Sequence, residues 1–183
     1  MPNTTNLKSV SKFLSYVLRH HPESIGVEMD GHGWVKVPEL IEKVKKDGHS
    51  IDLKTIRKII DRPGKQRFIL SDDDNFIRAG YGHSVDVDLQ LHPQKPPDLL
   101  YHGTAQQNLD SILENGIHSA SRNFVHLSAA GEEALNVGSR HGKPVILTIR
   151  ATEMHNEGHT FYQSDSEAGI WLVTFVPAGF VEI

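Results

Sequence analysis

The first apolar pattern along the chain predicts an amphipathic helix between Ser9 and His21. Its apolar positions recur with the spacing of one helix face: Val10, Phe13, Leu14, Val17 and Leu18. Pro22 disfavours helical backbone in the residue before it and so ends the helix. Arg19 and His20 lie outside the apolar stripe on the last turn, where the helix dipole favours cations.

Two further helices and a hairpin are predicted after this first helix. Pro38 opens the second helix and Asp52 caps the third. Apolar runs on either side of an acidic turn then predict a β-hairpin with strands Arg67–Leu70 and Phe76–Ala79. Helices followed by a hairpin make a winged-helix-like lobe, which we place at residues 1–84. Such lobes usually bind nucleic acid, although a fold alone does not establish a function.

A proline-rich segment is predicted to separate this lobe from the rest of the chain. Residues 85–98 end in Pro93-Gln94-Lys95-Pro96-Pro97, which continues neither a helix nor a ladder, so we interpret them as a linker. Residues 99–183 alternate strand-like and helical segments, which predicts an α+β lobe. The predicted strands are Leu99–His102, Phe124–Leu127, Val145–Ile149 and Ile170–Phe175, and the predicted helices are Gln106–Asn115 and Ala129–Val137.

Two of these strands end in a histidine and a hydroxyl residue. Tyr101-His102-Gly103-Thr104 predicts a strand that turns at its glycine into a helix capped by its threonine, with backbone N–H groups that can face an anion. Val125-His126-Leu127-Ser128 repeats the combination before the next predicted helix. One strand-end histidine is usually structural, but two beside capped helices favour a ligand pocket.

Composition narrows the class of protein. The chain has 183 residues, 38% of them hydrophobic and 23% charged, which is typical of a folded globular protein. It contains no cysteine, which excludes disulfides and thiolate chemistry. The polar N-terminus and the lack of a long apolar run predict neither a signal peptide nor a membrane span. We therefore expect a cytoplasmic protein, a monomer, with no membrane partner.

The charge is unevenly distributed between the two halves. Residues 1–82 carry 14 basic and 11 acidic side chains, and residues 83–183 carry 5 and 12. This asymmetry fits an anionic partner on the first half or, equally, a solvated basic helix face. The candidate contacts form one basic strip: Lys54, Arg57, Lys58, Arg62 and Lys65.

Two other polar patterns in the sequence bear on binding: one on a metal site and one on an anion site. His155 and His159 have helical metal-ligand spacing, but Gly158 lies between them and no third ligand is evident, so we expect no metal. Arg140 lies on a predicted loop between Gly138 and Gly142. An arginine in such a place either caps a helix end or binds an anion.

Together, eight ordered blocks resemble the RNA 2′-phosphotransferases of the KptA type, over nearly the whole chain. They are Ser11-Lys12-Phe13-Leu14-Ser15-Tyr16-Val17-Leu18-Arg19-His20, Gly33-Trp34-Val35, Lys65-Gln66-Arg67-Phe68, Ile77-Arg78-Ala79 with Gly82-His83-Ser84, Leu100-Tyr101-His102-Gly103-Thr104, Val125-His126-Leu127-Ser128, Gly138-Ser139-Arg140-His141-Gly142 and Gly169-Ile170-Trp171-Leu172. Two departures are visible. Tyr81 stands where such proteins usually have Gln, and Ala168 stands where they usually have Asn.

The resemblance implies a winged-helix-like lobe followed by an ADP-ribosyltransferase-like lobe that binds NAD⁺. It implies a catalytic set formed by Arg19, His20, Arg67 and Arg140. It also implies a cofactor-binding core, which we assign to His102, Gly103, Thr104, His126, Leu127, Ser128 and Ile170. The implied partner is an RNA that bears an internal 2′-phosphate, with NAD⁺ consumed as co-substrate and no metal.

These residue types suit that chemistry. A phosphate monoester has a second pKa near 6, so at neutral pH it is mostly a dianion that needs positioning more than a general base. Arginine provides planar, bidentate hydrogen bonds to such a group, and His20 can donate a proton near neutral pH. Two alternatives stay open: an ADP-ribosyltransferase that modifies nucleic-acid phosphate ends or protein side chains, and a non-catalytic winged-helix RNA binder.

Overall fold

The computed structural model describes residues 4–183 and is α+β, as the sequence predicts. The chain divides into two compact units. The first runs through Gln90 and also contains Asp165–Glu167, and the second comprises Leu91–Ser164 and Ala168–Ile183.

The first unit consists of three helices and a small antiparallel sheet. The helices are α1 (Thr4–Arg19), α2 (Val37–Lys46) and α3 (Leu53–Ile60), and the strands are β1 (Val35–Lys36), β2 (Phe68–Leu70) and β3 (Phe76–Ala79), with a 3-10 turn at Pro22–Ser24. The sheet order is β1-β3-β2. The predicted apolar stripe of α1 is confirmed, because Val10, Leu14, Val17 and Leu18 are buried in one core with α2, α3 and the sheet.

Local signals set the boundaries of these elements. The Asp52 side chain accepts the Thr55 N–H at the start of α3, as predicted for its cap. Pro38 lies in the first turn of α2, where a missing N–H costs no hydrogen bond. The hairpin is also confirmed, with Phe68 opposite Ala79 and Leu70 opposite Ile77.

The second unit is built on a six-stranded antiparallel sheet. The strands of this unit are β4 (Leu99–Ala105), β5 (Ile117–His118), β6 (Val125–Ser128), β7 (Pro144–Arg150), β8 (Tyr162–Gln163), β9 (Ile170–Val173), β10 (Phe175–Val176) and β11 (Val181–Glu182). The strand order of the six-stranded sheet is β11-β7-β4-β6-β9-β8, and a separate pair joins β10 to β5. The helices are α4 (Leu109–Asn115), α5 (Gly131–Gly138) and α6 (Ala151–Asn156), with 3-10 turns at Gln106–Asn108 and Ala178–Phe180.

The predicted turn at Gly103 is wrong. β4 continues through Gly103 and Thr104 to Ala105 and pairs with β7 along its whole length. Gly103 is needed for a different reason: a Cβ there would overlap the carbonyl oxygen of Ala134, because α5 packs directly on β4. Gly103 is therefore the position at which α5 lies directly against the backbone of β4.

The predicted helix caps at Thr104 and Ser128 are also wrong. Thr104 is buried on β4, and the residue that precedes the following 3-10 turn, Ala105, makes no side-chain cap. Ser128 is buried on β6, and α5 begins after Ala130 without a side-chain cap. Both hydroxyl residues belong to the sheet, because the strands extend further than the apolar runs that predict them.

The segment predicted as a linker is packed: its first part belongs to the first unit and its second part to the second unit. In its first part, Asp88 donates its N–H to the Gly31 carbonyl and Leu89 is buried in the first unit. In its second part, Gln94 donates its N–H to the Phe161 carbonyl, and Pro93 forms an isolated antiparallel β-bridge with Tyr162. Prolines exclude regular structure from this segment, but they do not prevent it from packing.

Replacing Gly103 with alanine should destabilise the second unit strongly. The added methyl group would force α5 away from β4, and overpacking of this kind costs about 3 kcal/mol or more when backbone atoms oppose it. Chemical denaturation of Gly103→Ala and wild type would measure the loss. Gly131→Ala is the matched control on α5, since its Cβ would meet its nearest atom at 4.0 Å. Equal stabilities of the two variants would contradict close packing at Gly103.

Candidate active site

Three of the four predicted catalytic residues meet one short segment of the first unit. This segment, Gly80-Tyr81-Gly82-His83-Ser84, follows β3 directly and is called here the 80–84 segment. Arg19 is the last residue of α1, His20 follows it, and Arg67 precedes β2. Backbone or side-chain contacts tie each of them to the segment.

Arg19 is held through its backbone and through its side chain. Its carbonyl oxygen accepts the N–H groups of Ser84 at 2.9 Å and Val85 at 3.3 Å. Its guanidinium carbon lies 4.7 Å from the centre of the Tyr81 ring, in cation–π geometry. Gly82 has φ +91°, and a Cβ there would approach the Arg19 Nε, Cδ and Cζ atoms to 3.2–3.3 Å. Glycine therefore lets the backbone lie against the guanidinium.

His20 and Arg67 reach the same segment by hydrogen bonds. Nδ1 of His20 lies 2.8 Å from the Ser84 hydroxyl oxygen. The Arg67 carbonyl accepts the Gly80 N–H at 3.0 Å, which extends the hairpin by one bond beyond Phe68. The 80–84 segment thus contacts both the end of α1 and the residue before β2, which lie far apart in the sequence.

Arg78 is a buried arginine on β3, just before the 80–84 segment. It is 7% exposed, its guanidinium pairs with the Asp165 carboxylate at 2.9 Å, and it lies over the Trp34 ring at 4.7 Å. It also donates to the carbonyls of His32 and Leu89 at 3.3 Å each. Arg78 thereby fixes residues 85–90 and 165–167 around β3. Neither Arg78 nor Tyr81 is among the site residues predicted from the sequence. The available signal was that Arg78 lies within a quoted block and Tyr81 lies beside one.

His83 is buried beside these cations and stays neutral at physiological pH. The side chain is 3% exposed, and within residues 4–183 neither ring nitrogen has a hydrogen-bond partner. Burial, together with the charges of Arg19, Arg78 and His20, lowers its pKa from 6.5 to about 4. A neutral ring fills the space behind Arg19 without adding a further positive charge.

The second unit holds the other predicted site residues. Arg140 is exposed on the loop after α5, where its backbone N–H bonds to Val137 at 3.3 Å. His102 lies on β4 and His126 on the neighbouring β6, while Gly103, Thr104, Leu127, Ser128 and Ile170 lie on β4, β6 and β9. The register places Tyr101 opposite Ser128, and Ser128 opposite Ile170.

His102 occupies a gap between two strands of this sheet. β4 pairs with β6 at the single position Tyr101–Ser128, and next to it the His102 Nδ1 lies 3.1 Å from the His126 carbonyl. A carbonyl only accepts, so Nδ1 carries the proton and Nε2 keeps a lone pair. Burial lowers the pKa of His102, and the His126 hydrogen bond opposes that shift in part. Its Nε2 can therefore accept a hydrogen bond from a hydroxyl group.

The basic strip is partly offset by carboxylates. Lys54, Arg57, Lys58 and Arg62 are exposed and Lys65 is half-buried. Arg57, however, pairs with Asp74. It also lines a cleft of about 490 Å³ together with Asp61, Asp72, Asp74 and Asp165. The lysines of α3 are thus better placed to meet an anionic backbone than Arg57 is.

The part of the chain that the structure describes has neither a metal-binding cluster nor a membrane-spanning helix. Within residues 4–183 no group of three or more His, Cys, Asp or Glu side chains is arranged to hold a metal ion. Across the same residues no helix is long and apolar enough to cross a membrane.

Acid should destabilise the first unit through His83. Its folded-state pKa lies below its unfolded value, so the neutral ring favours the folded state above pH 6.5, and this contribution is lost as the pH falls towards 4. A shift of this size corresponds to about 3 kcal/mol at 1.36 kcal/mol per unit. Urea denaturation at several pH values, followed by the fluorescence of Trp34 and Trp171, should show a shallower pH dependence in His83→Leu than in wild type. Parallel curves would mean that His83 is protonated equally in both states.

Comparison with known proteins places this chain in a family. The model of the family described as "RNA 2'-phosphotransferase, Tpt1 / KptA family" matches residues 5–174. A protein of Acaryochloris marina named "Probable RNA 2'-phosphotransferase" is 48% identical over 97% of both chains. Proteins of the same name from Pectobacterium carotovorum and Pseudomonas aeruginosa are 46% and 47% identical, covering 100% and 96% of this chain and 97% and 96% of their own. This chain therefore belongs to the RNA 2′-phosphotransferase, Tpt1 / KptA family.

Proposed function

We propose that this protein is an NAD⁺-dependent RNA 2′-phosphotransferase, which removes an internal 2′-phosphate from RNA. The observation that carries the proposal is that the Arg19 and His20 side chains and the Arg67 backbone carbonyl all contact the 80–84 segment. Two guanidinium groups and an imidazole match the charge and the acceptor oxygens of a phosphate dianion. Arg140, on the loop after α5, is the fourth residue of the proposed catalytic set.

In this proposal the first unit is a winged-helix-like RNA-binding lobe and the second is an ADP-ribosyltransferase-like lobe. Three helices with a three-stranded sheet are consistent with the former. The exposed Lys54 and Lys58 of α3 would contact RNA phosphates, which position a nucleic acid without specifying its sequence. Arg57, Arg62 and Lys65 would extend this contact, with Arg57 weakened by Asp74.

The residues around His102 fit a nicotinamide nucleotide as second substrate. The lone pair on His102 Nε2 can accept a hydrogen bond from a ribose hydroxyl, and burial keeps the ring neutral. Its neighbours in the proposed NAD⁺ site are Gly103, Thr104, His126, Leu127, Ser128 and Ile170. Because α5 packs against Gly103, that glycine serves the site by close packing and not by an anion-binding turn.

The proposed chemistry has two steps. NAD⁺ supplies an ADP-ribosyl group: an oxygen of the RNA 2′-phosphate bonds to C1″ as nicotinamide leaves. The ribose 2″-hydroxyl then attacks phosphorus and gives up its proton, while the RNA 2′-oxygen leaves and takes up a proton, which gives ADP-ribose 1″,2″-cyclic phosphate and RNA with a 2′-hydroxyl. The arginines orient the phosphate, which is mostly a dianion at neutral pH, so the first step needs no general base. His20 can donate a hydrogen bond or a proton to the phosphate and its leaving oxygen.

The test is incubation of the protein with a short RNA that carries one internal 2′-phosphate, with and without NAD⁺. Mass analysis should show loss of the phosphate and formation of ADP-ribose cyclic phosphate only with NAD⁺, and no change in the same RNA lacking the 2′-phosphate. RNA that keeps an ADP-ribosyl group as the final product would indicate the end-modifying transferase instead. Salt-sensitive RNA binding without any NAD⁺-dependent product would indicate a non-catalytic binder.

Arg67→Ala should slow the second step more than the first. The second step develops extra charge at phosphorus, and removal of a donor matched to transition-state charge costs about 10²–10³ in rate. RNA carrying ADP-ribose on its 2′-phosphate should then accumulate as an added mass. Arg122→Ala, which removes an exposed arginine of the second unit, is the control and should show no accumulation. Equal slowing of nicotinamide release and dephosphorylation in Arg67→Ala would assign Arg67 to binding or to the first step.

A further inference from the structure

We infer that Tyr81 and Ser84 are positioning residues: Ser84 fixes the His20 ring as the tautomer that carries its proton on Nε2, and Tyr81 fixes the plane of the Arg19 guanidinium. This inference rests on the proposed function for its catalytic consequence, but the geometry it describes can be measured without any reaction. Both residues belong to the 80–84 segment of the first unit.

The Ser84 assignment follows from hydrogen-bond chemistry. A serine hydroxyl can donate to Nδ1 of a neutral imidazole or accept from it, so the 2.8 Å contact alone permits either tautomer. A phosphate dianion, however, offers acceptors only. His20 can donate to it through Nε2 only when Nε2 carries a hydrogen, and a neutral ring then needs a donor at Nδ1. The Ser84 hydroxyl is that donor.

The backbone makes Ser84 a rigid donor. Its N–H bonds to the Arg19 carbonyl at 2.9 Å, one residue before His20. The hydroxyl and the imidazole are therefore attached to two backbones that are themselves joined. His21, whose ring centre lies 6.5 Å from that of His20, and His83 on the segment also lie near His20, and neither is a carboxylate.

The Tyr81 assignment follows from the packing of Arg19. Tyr81 is 8% exposed, and its ring faces the guanidinium at 4.7 Å, while Gly82 leaves room for the Arg19 side chain. An aromatic face restrains the guanidinium plane without occupying its N–H groups. This role distinguishes Tyr81 from the Gln that usually precedes Gly-His-Ser in similar sequences.

The tautomer can be read from the ¹⁵N shifts of the His20 ring in the full-length protein, with the signal assigned by its loss in His20→Asn. In wild type with a neutral ring, Nδ1 should have the shift of an unprotonated nitrogen and Nε2 that of a protonated one. Ser84→Ala should give a mixture of tautomers, and Ser84→Thr, which keeps the hydroxyl, should restore the wild-type shifts. A proton on Nδ1 in wild type, or unchanged shifts in Ser84→Ala, would overturn the inference.

Kinetics with the 2′-phosphorylated RNA give a second readout. Ser84→Ala should lower kcat about tenfold with little change in KM, and Ser84→Thr should recover most of the loss. Tyr81→Leu should lower kcat/KM by about fivefold, whereas Tyr81→Phe, which keeps the ring, should stay near wild type. Equal losses in Tyr81→Leu and Tyr81→Phe would overturn the role of Tyr81. Equal losses in Ser84→Ala and Ser84→Thr would overturn the role of Ser84.

The two proposals can fail separately. If wild type shows no NAD⁺-dependent product but the His20 shifts behave as expected, the proposed function is wrong and the positioning inference stands. If wild type is active and the shifts do not respond to Ser84→Ala, the function stands and the positioning role of Ser84 is wrong.

Discussion

The hydrogen bonds from Ser84 and Val85 to the Arg19 carbonyl are the contact on which the site in the first unit depends. The last carbonyls of a helix lack partners within the helix, and here α1 obtains one from the chain that follows β3. That single carbonyl fixes the backbone of Arg19 to the backbone of Ser84. The cation–π contact with Tyr81 and the His20–Ser84 hydrogen bond can form because this link sets the distance between the two chains.

The second unit depends on the close packing of a helix against its sheet. Its sheet must hold a helix close to β4, and Gly103 provides the space by having no side chain. Where β4 leaves β6, the His102 ring replaces a backbone partner and becomes a neutral acceptor. Close packing at Gly103 and an interrupted ladder beside His102 therefore lie next to each other on β4.

The sequence could predict features that depend on near neighbours. The stripe of α1, the Asp52 cap and the hairpin around the acidic turn follow from local periodicity and capping, and the structure confirms them. The resemblance supplied Arg19, His20 and Arg67, whose contacts with one segment no spacing rule could reveal. Gly103 was misread because a glycine after an apolar run indicates a turn locally, whereas its actual constraint is a helix about 30 residues later in the chain. The local sequence pattern likewise cannot predict that residues 165–167 belong to the first unit, since this depends on long-range contacts: the Arg78–Asp165 ion pair and the hydrogen bond from the Gln66 N–H to the Glu167 carboxylate.

Amide hydrogen exchange at Ser84 and Val85, measured without RNA or NAD⁺, tests most directly whether the site is preformed. If both N–H groups are held by the Arg19 carbonyl in the free protein, they should be protected to within about tenfold of the buried α1 amides of Val17 and Leu18. The exposed turn amides of Asp72 and Asp73 provide the unprotected reference. Exchange at Ser84 and Val85 as fast as in that turn would show that the 80–84 segment is not docked on α1, and would contradict a preformed site.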